Sequence, residues 1–93
     1  MIKRVKASHI LVGPKDLADE LYDKLHDGYN FKELAMKYSK CPSKSKGGNL
    51  GWFKRGQMVR PFENAAFSLK KGMISQPVKT EFGWHIIKVE DNE

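Results

Sequence analysis

The sequence predicts an α+β domain with a mostly antiparallel sheet, and three observations carry that expectation. The stretches KRVKASHILV (3 to 12) and WHIIKVE (84 to 90) alternate along the chain with the period of two that a strand requires. Between them, three stretches place apolar residues at helical spacing. The elements run β-α-α-β-α-β-β, without the repeated βαβ units from which a doubly wound sheet is built.

In the first strand Val5, Ala7, His9 and Leu11 share one face, and Arg4, Lys6, Ser8, Ile10 and Val12 the other. Its second half is apolar on both faces, which predicts a central position. Gly13 and Pro14 end it, and Pro14 suits the first turn of a helix. In DLADELYDKL (16 to 25), Leu17, Ala18, Leu21, Tyr22 and Leu25 form one stripe, with acids early, Lys24 late and Gly28 as the stop. His26 falls in the last turn, where a solvated imidazole complements the helix dipole.

A second helix opens at Asn30, with Glu33 completing a capping-box pattern, and buries Phe31, Leu34, Ala35 and Tyr38. SKCPSKSKGG (39 to 48) reads as loop and NLGWFK as a strand. Arg55-Gly56 turns the chain. Pro61 then starts a helix, PFENAAFSL, with Phe62, Ala65, Ala66 and Leu69 inward and Gly72 at its end. Pro77 restricts SQPVKT to an edge strand or a strand start. Glu81-Phe82-Gly83 leads into the last strand, which has His85, Ile87 and Val89 on one face.

Ninety-three residues, 40% hydrophobic and 30% charged, predict a single globular domain spanning 1 to 93. No apolar run approaches the roughly 18 residues of a membrane span. The basic start MIKRVKASHILVG is too interrupted for a secretory signal, so the expected address is cytoplasmic. One cysteine excludes an internal disulfide. The net charge of +6 comes from lysines spread along the chain. That distribution does not predict a nucleic-acid partner, but leaves open a peripheral contact with an anionic membrane surface or an acidic protein.

Four candidate chemistries follow. Gly51 and Gly56 have the spacing of a phosphate loop, but Gln57 and Met58 stand where Lys and Ser/Thr are needed, so that reading fails. His9 and His85 lie in otherwise apolar faces. If the first and last strands are neighbours, each imidazole can satisfy the other, structurally or as part of a site. Cys41 could join them as a zinc ligand or act as a nucleophile, but no short ligand spacing and no orienting carboxylate supports either. Met58 and Phe62, four apart around Pro61, are either ordinary core or the walls of an apolar pocket with Leu50 or Phe82 beside them.

The stretches ASHILV, YSKCPS, GGNLGWFKRGQMVRPFENAAFSL and PVKTEFGWHIIKV together resemble the parvulin family of peptidyl-prolyl cis-trans isomerases. The resemblance covers residue 4 to the C-terminus. It implies a parvulin fold: a four-stranded, mostly antiparallel sheet wrapped by four helices, one of them short and following Cys41. It maps the family's sheet histidines to His9 and His85, its central cysteine to Cys41, and the polar network around them to Ser39 and Thr80. It maps the proline pocket to Leu50, Met58 and Phe62, with Phe82 beside it and Gln57 nearby.

The implied reaction needs no cofactor and no metal, and its substrates are proline-containing segments of client proteins. The loop after the first strand, VGPKD, has only Lys15, opposed by Asp16, so no phosphate requirement is expected. A stand-alone catalytic domain without a targeting module, and a monomer, are expected. The alternative is a non-catalytic holder or adaptor that docks through Lys37, Lys40, Lys44, Lys46, Lys54 and Arg55.

Overall fold

The computed structural model describes residues 2–93. Strands β1 (Arg4–Val12), β2 (Asn49–Lys54), β3 (Val78–Thr80) and β4 (Gly83–Asn92) form one sheet in the order β2-β1-β4-β3. All three pairings are antiparallel. β1 is central, as its two apolar faces require, and β3 is the edge strand to which Pro77 restricts it.

Helices α1 (Lys15–His26) and α2 (Phe31–Tyr38) cover one face, packing Leu21, Leu25, Phe31 and Leu34 on Ile10, Val12 and Ile86. Helix α3 (Arg60–Ser68) covers the other, packing Phe62, Ala66 and Phe67 on Val5, Ala7, Ile87 and Val89. The alternation along β1 therefore feeds two cores, one on each side of the sheet. The short fourth helix after Cys41 is a 3-10 helix, Pro42–Lys46.

Element ends follow local chemistry. Asn30 Oδ1 accepts the Glu33 N–H at 2.9 Å and caps α2. Pro14 stands one residue earlier than expected, as the N-cap of α1 rather than inside its first turn. At the other end, Gly28 (φ 99°) lets the chain turn, while the Tyr29 N–H reaches back to the Lys24 carbonyl. Helix α3 stops at Ser68, short of Gly72. The Ser68 hydroxyl bonds the carbonyls of Asn64 and Ala65, and Leu69 is already extended. Phe67, absent from the expected inward set of α3, is buried edge-on against Phe53 under the Arg55 guanidinium.

One irregularity in β2 positions the site. Ala7 is opposite Gly51, but Ser8 is opposite Asn49, so Leu50 is an extra residue. The bulge is held by Gly51 at φ 75°, whose N–H donates to Asn49 Oδ1 at 2.7 Å. Strict alternation from Phe53 would put Leu50 on the α1/α2 face. The bulge instead delivers it to the α3 core.

Candidate active site

β1 and β4 are neighbours, with His9 opposite Ile87 and Leu11 opposite His85. The two histidines are therefore diagonal on one face, and their Nδ1 atoms meet at 3.0 Å. One must donate and the other accept, so at least one proton sits between them. His85 Nε2 continues the chain to Thr80 Oγ1 at 2.7 Å, and Thr80 Oγ1 accepts the Phe82 N–H at 3.1 Å. Phe62 stands edge-on to both imidazoles, with ring centres 5.5 Å from His9 and 5.3 Å from His85.

Burial pushes the His9 pKa down to about 4, reinforced by the neighbouring His85, and burial pushes His85 down to about 4 as well. Both rings are neutral at pH 7. Since the folded values lie below the unfolded 6.5, the unfolded chain binds more protons between pH 6.5 and 4, and stability falls as pH drops through that window. The loss is expected to be on the order of 3 kcal/mol for one ring. Urea midpoints measured from pH 7 to pH 4 check this, and replacing both histidines by glutamine should flatten the profile. An equally steep profile in that variant would assign the effect to carboxylates instead.

In front of the histidine chain lies an open, mainly apolar cavity of about 510 Å³. Leu50, Met58, Phe62 and Phe82 form its walls, with His9, His85 and Cys41 among the other lining groups. Phe62 is the buried base, 2% exposed, whereas Phe82 is 63% exposed at the hairpin tip and stands free to cover an occupant. Met58 and Phe62 line the cavity and also pack into the α3 core.

Ser39 makes contacts other than those the resemblance implied. Ser39 does not join the histidine chain. Its Oγ accepts the backbone N–H groups of Leu11 (3.0 Å) and Cys41 (3.3 Å), tying the loop that carries Cys41 to β1. Ser39 therefore positions Cys41 through the backbone. Cys41 is half-buried in the cavity wall and forms no hydrogen bond with an imidazole among the described residues. No group of three His, Cys, Asp or Glu among those residues has metal-holding geometry. Lys15 pairs with Asp19 at 2.9 Å, one helical turn on, rather than with Asp16.

Other residues line the cavity or brace its turns, among them Gln57, which the resemblance placed near the pocket. Gln57 lines the cavity, and its Oε1 also accepts the Lys54 N–H at 2.6 Å, closing the turn before Met58. Glu63 accepts the Gly56 N–H and lies 3.5 Å from the Arg55 guanidinium, pinning that turn to the start of α3. Its place three residues after Arg60 looks like any solvated helix acid. Leu11 and Val59 complete the apolar lining, while Lys40 is a cation at the mouth. Behind His9, the Gly48 carbonyl accepts the His9 N–H at 2.9 Å, and a Cβ on Gly48 would stand 2.3 Å from the His9 carbonyl oxygen.

Comparison with known proteins agrees with this geometry. The chain is 52% identical over 91 residues to the foldase protein PrsA of Geobacillus sp. (strain WCH70), covering 97% of this chain and 33% of that protein. It is 55% identical over 86 residues to PrsA of Bacillus subtilis (strain 168), covering 91% and 30%. The chain thus spans about a third of the length of the curated relatives it matches.

Among solved structures, the peptidylprolyl isomerase PrsA of Bacillus anthracis superposes with a TM-score of 0.97 at 46% identity, over 99% of this chain and 43% of that one. NmPin, the parvulin of Nitrosopumilus maritimus, superposes with a TM-score of 0.84 at 48% identity, over 94% and 95%. The rotamase family model, the PPIC-type PPIase domain, matches residues 9–91. This chain, with its paired sheet histidines and apolar cavity, belongs to the PPIC-type peptidyl-prolyl isomerase family, the parvulins.

Proposed function

We propose that this chain accelerates cis-trans rotation about X-Pro bonds in unfolded or flexible client segments and so assists their folding. The observation that carries the reading is the apolar cavity walled by Met58, Phe62, Leu50 and Phe82 over a neutral His9–His85–Thr80 chain.

Rotation makes and breaks no covalent bond, yet it meets a barrier of about 18–20 kcal/mol because amide resonance is lost at the twisted geometry. Unassisted exchange consequently takes tens to hundreds of seconds. Lowering the barrier by roughly 5–6 kcal/mol gives about a 10,000-fold gain. In the proposed mechanism Met58 and Phe62 grip the proline ring, and Phe82 closes over it. The preceding carbonyl then swings in a space from which water is displaced. Water hydrogen-bonded to that carbonyl favours the planar, charge-separated amide, so its removal helps the twisted state. The histidine chain supplies polarity without a charge, and selective fit to the twisted imide supplies the rest.

Specificity follows from the cavity mouth. Lys15 is engaged by Asp19 and lies over the Trp84 ring, which leaves Lys40 as the cation in the lining. One ammonium is a point charge and not the clustered donor set that a phosphorylated Ser/Thr before proline calls for. The proposal is therefore activity without a phosphate requirement, with uncharged residues preferred before proline. A monomeric, cytoplasmic protein completes the proposal; no helix among the described residues is long and apolar enough to cross a membrane.

Exchange spectroscopy on an Ala-Leu-Pro peptide, with a phosphoSer-Pro peptide in parallel, tests both parts. Acceleration of the unphosphorylated peptide is expected, and no acceleration of either would refute the activity. A strong phosphate preference would refute the specificity. Met58→Ala is expected to lower kcat/KM roughly tenfold, because the wall that meets the substrate loses its reach. Cys41→Ser should stay within about threefold. The reverse order would point to chemistry at the thiol.

A further inference from the structure

On the other side of the sheet lies a second, polar cavity of about 290 Å³. Its floor is one cross-strand row. Ser8 of β1 is opposite Asn49 of β2 on one side and Lys88 of β4 on the other. Residues directly opposite in antiparallel strands project to the same face, so the three side chains form a continuous polar strip. Ser8 and His9 are adjacent in β1 and point to opposite faces, which separates this cleft from the proline pocket by the thickness of the sheet.

Ser8 is only 7% exposed, and its hydroxyl forms no hydrogen bond with the described residues. The hydroxyl itself is not sealed off: it borders an open cleft, where a ligand can meet it. The walls are cationic. Lys32, near the start of α2, and Lys46, at the end of the 3-10 helix, stand on either side of Gly47. The Lys32 stem lies where a Gly47 Cβ would be, 2.2 Å from its Cγ, so glycine there makes room for the lysine. Asn30 and Phe31 add the first turn of α2, where the Asn30 side chain already caps the Glu33 N–H and only the N–H groups of Phe31 and Lys32 are left without an acceptor in the helix. Against three lysines there is one acid, Glu90, 3.9 Å from Lys88.

We propose that this cleft binds a phosphoryl group, with the Ser8 hydroxyl and the Lys32, Lys46 and Lys88 ammonium groups as its donors. The claim is independent of isomerase activity.

Titrations of the isotope-labelled protein, followed by amide NMR at constant ionic strength, test it with three probes: inorganic phosphate, glycerol phosphate, and phosphatidylcholine vesicles with or without phosphatidic acid. Saturable shifts confined to residues 8, 30–32, 46–49 and 88 are expected. The probe that produces them identifies the source as a free anion or a lipid headgroup. Lys46→Gln and Ser8→Ala should each weaken binding by roughly fivefold or more. Both should leave X-Pro exchange unchanged, since neither touches the proline pocket. Shifts spread over lysines outside the cleft, shifts undiminished in both variants, or no saturable shift with any probe would overturn the proposal.

Discussion

Replacing Phe62 by alanine is expected to lower stability by about 3–5 kcal/mol. The ring is 2% exposed, and it packs edge-on to His9 and His85 with its centre 5.9 Å from that of Phe53. Removing it opens a hole among groups that cannot collapse inward. β1 and β4 are fixed by their ladder, and the imidazoles are held together through Nδ1. Domains of this size are stable by only about 5–15 kcal/mol, so the variant should melt roughly 15 °C or more below the parent. Activity should therefore be measured well below the variant's own midpoint, where a remaining loss reports the missing floor of the proline pocket rather than unfolding. A melting point within a few degrees of the parent would show that the ring contributes little to the core, contrary to its burial.

Gly48→Ala should be almost as damaging, although the residue touches no substrate. Its φ of 88° already costs a side chain about 1–2 kcal/mol. In addition, the new Cβ would stand 2.3 Å from the His9 carbonyl oxygen, which is backbone and cannot rotate aside. Relieving the clash means loosening the bond from the His9 N–H to the Gly48 carbonyl, worth about 1 kcal/mol more. A total of about 2–3 kcal/mol is expected in denaturant midpoints. Gly56→Ala is the internal comparison. Its φ is 90°, but nothing lies within 4 Å of its Cβ position, so only the backbone cost applies. Equal losses in the two variants would mean that the β1–Gly48 contact does not constrain His9.

The sequence pattern resolved most of the architecture because its signals are local. Alternation in 3 to 12 and 84 to 90 marks the central strands, and the Asn30/Glu33 pair marks the start of α2 at its capping bond. The diagonal meeting of His9 and His85 was also legible, since it required only that the first and last strands be neighbours. Ser39 was misassigned because its partners are backbone N–H groups, which leave no trace in residue types. Glu63 and Gln57 were underrated for a related reason: both brace a turn through its backbone. Phe67 was missed because the inward stripe of α3 is broader than the four positions assigned to it. The clearest case is Leu50, whose direction was set by a bulge that periodicity takes no account of.

That bulge makes β2 a strand with two phases. Before it, Asn49 belongs to the polar strip beside Ser8; after it, Phe53 belongs to the core under α3, and Leu50 is the residue spent on the change. Deleting Leu50 would restore an even alternation and preserve every hydrophobic count in the chain except one. It would leave Asn49 opposite Ser8 and Phe53 in its core, and remove only the side chain that Leu50 contributes to the cavity wall. One inserted residue thus adds a wall to the apolar cavity without disturbing the charged strip on one side of the sheet or the greasy core on the other.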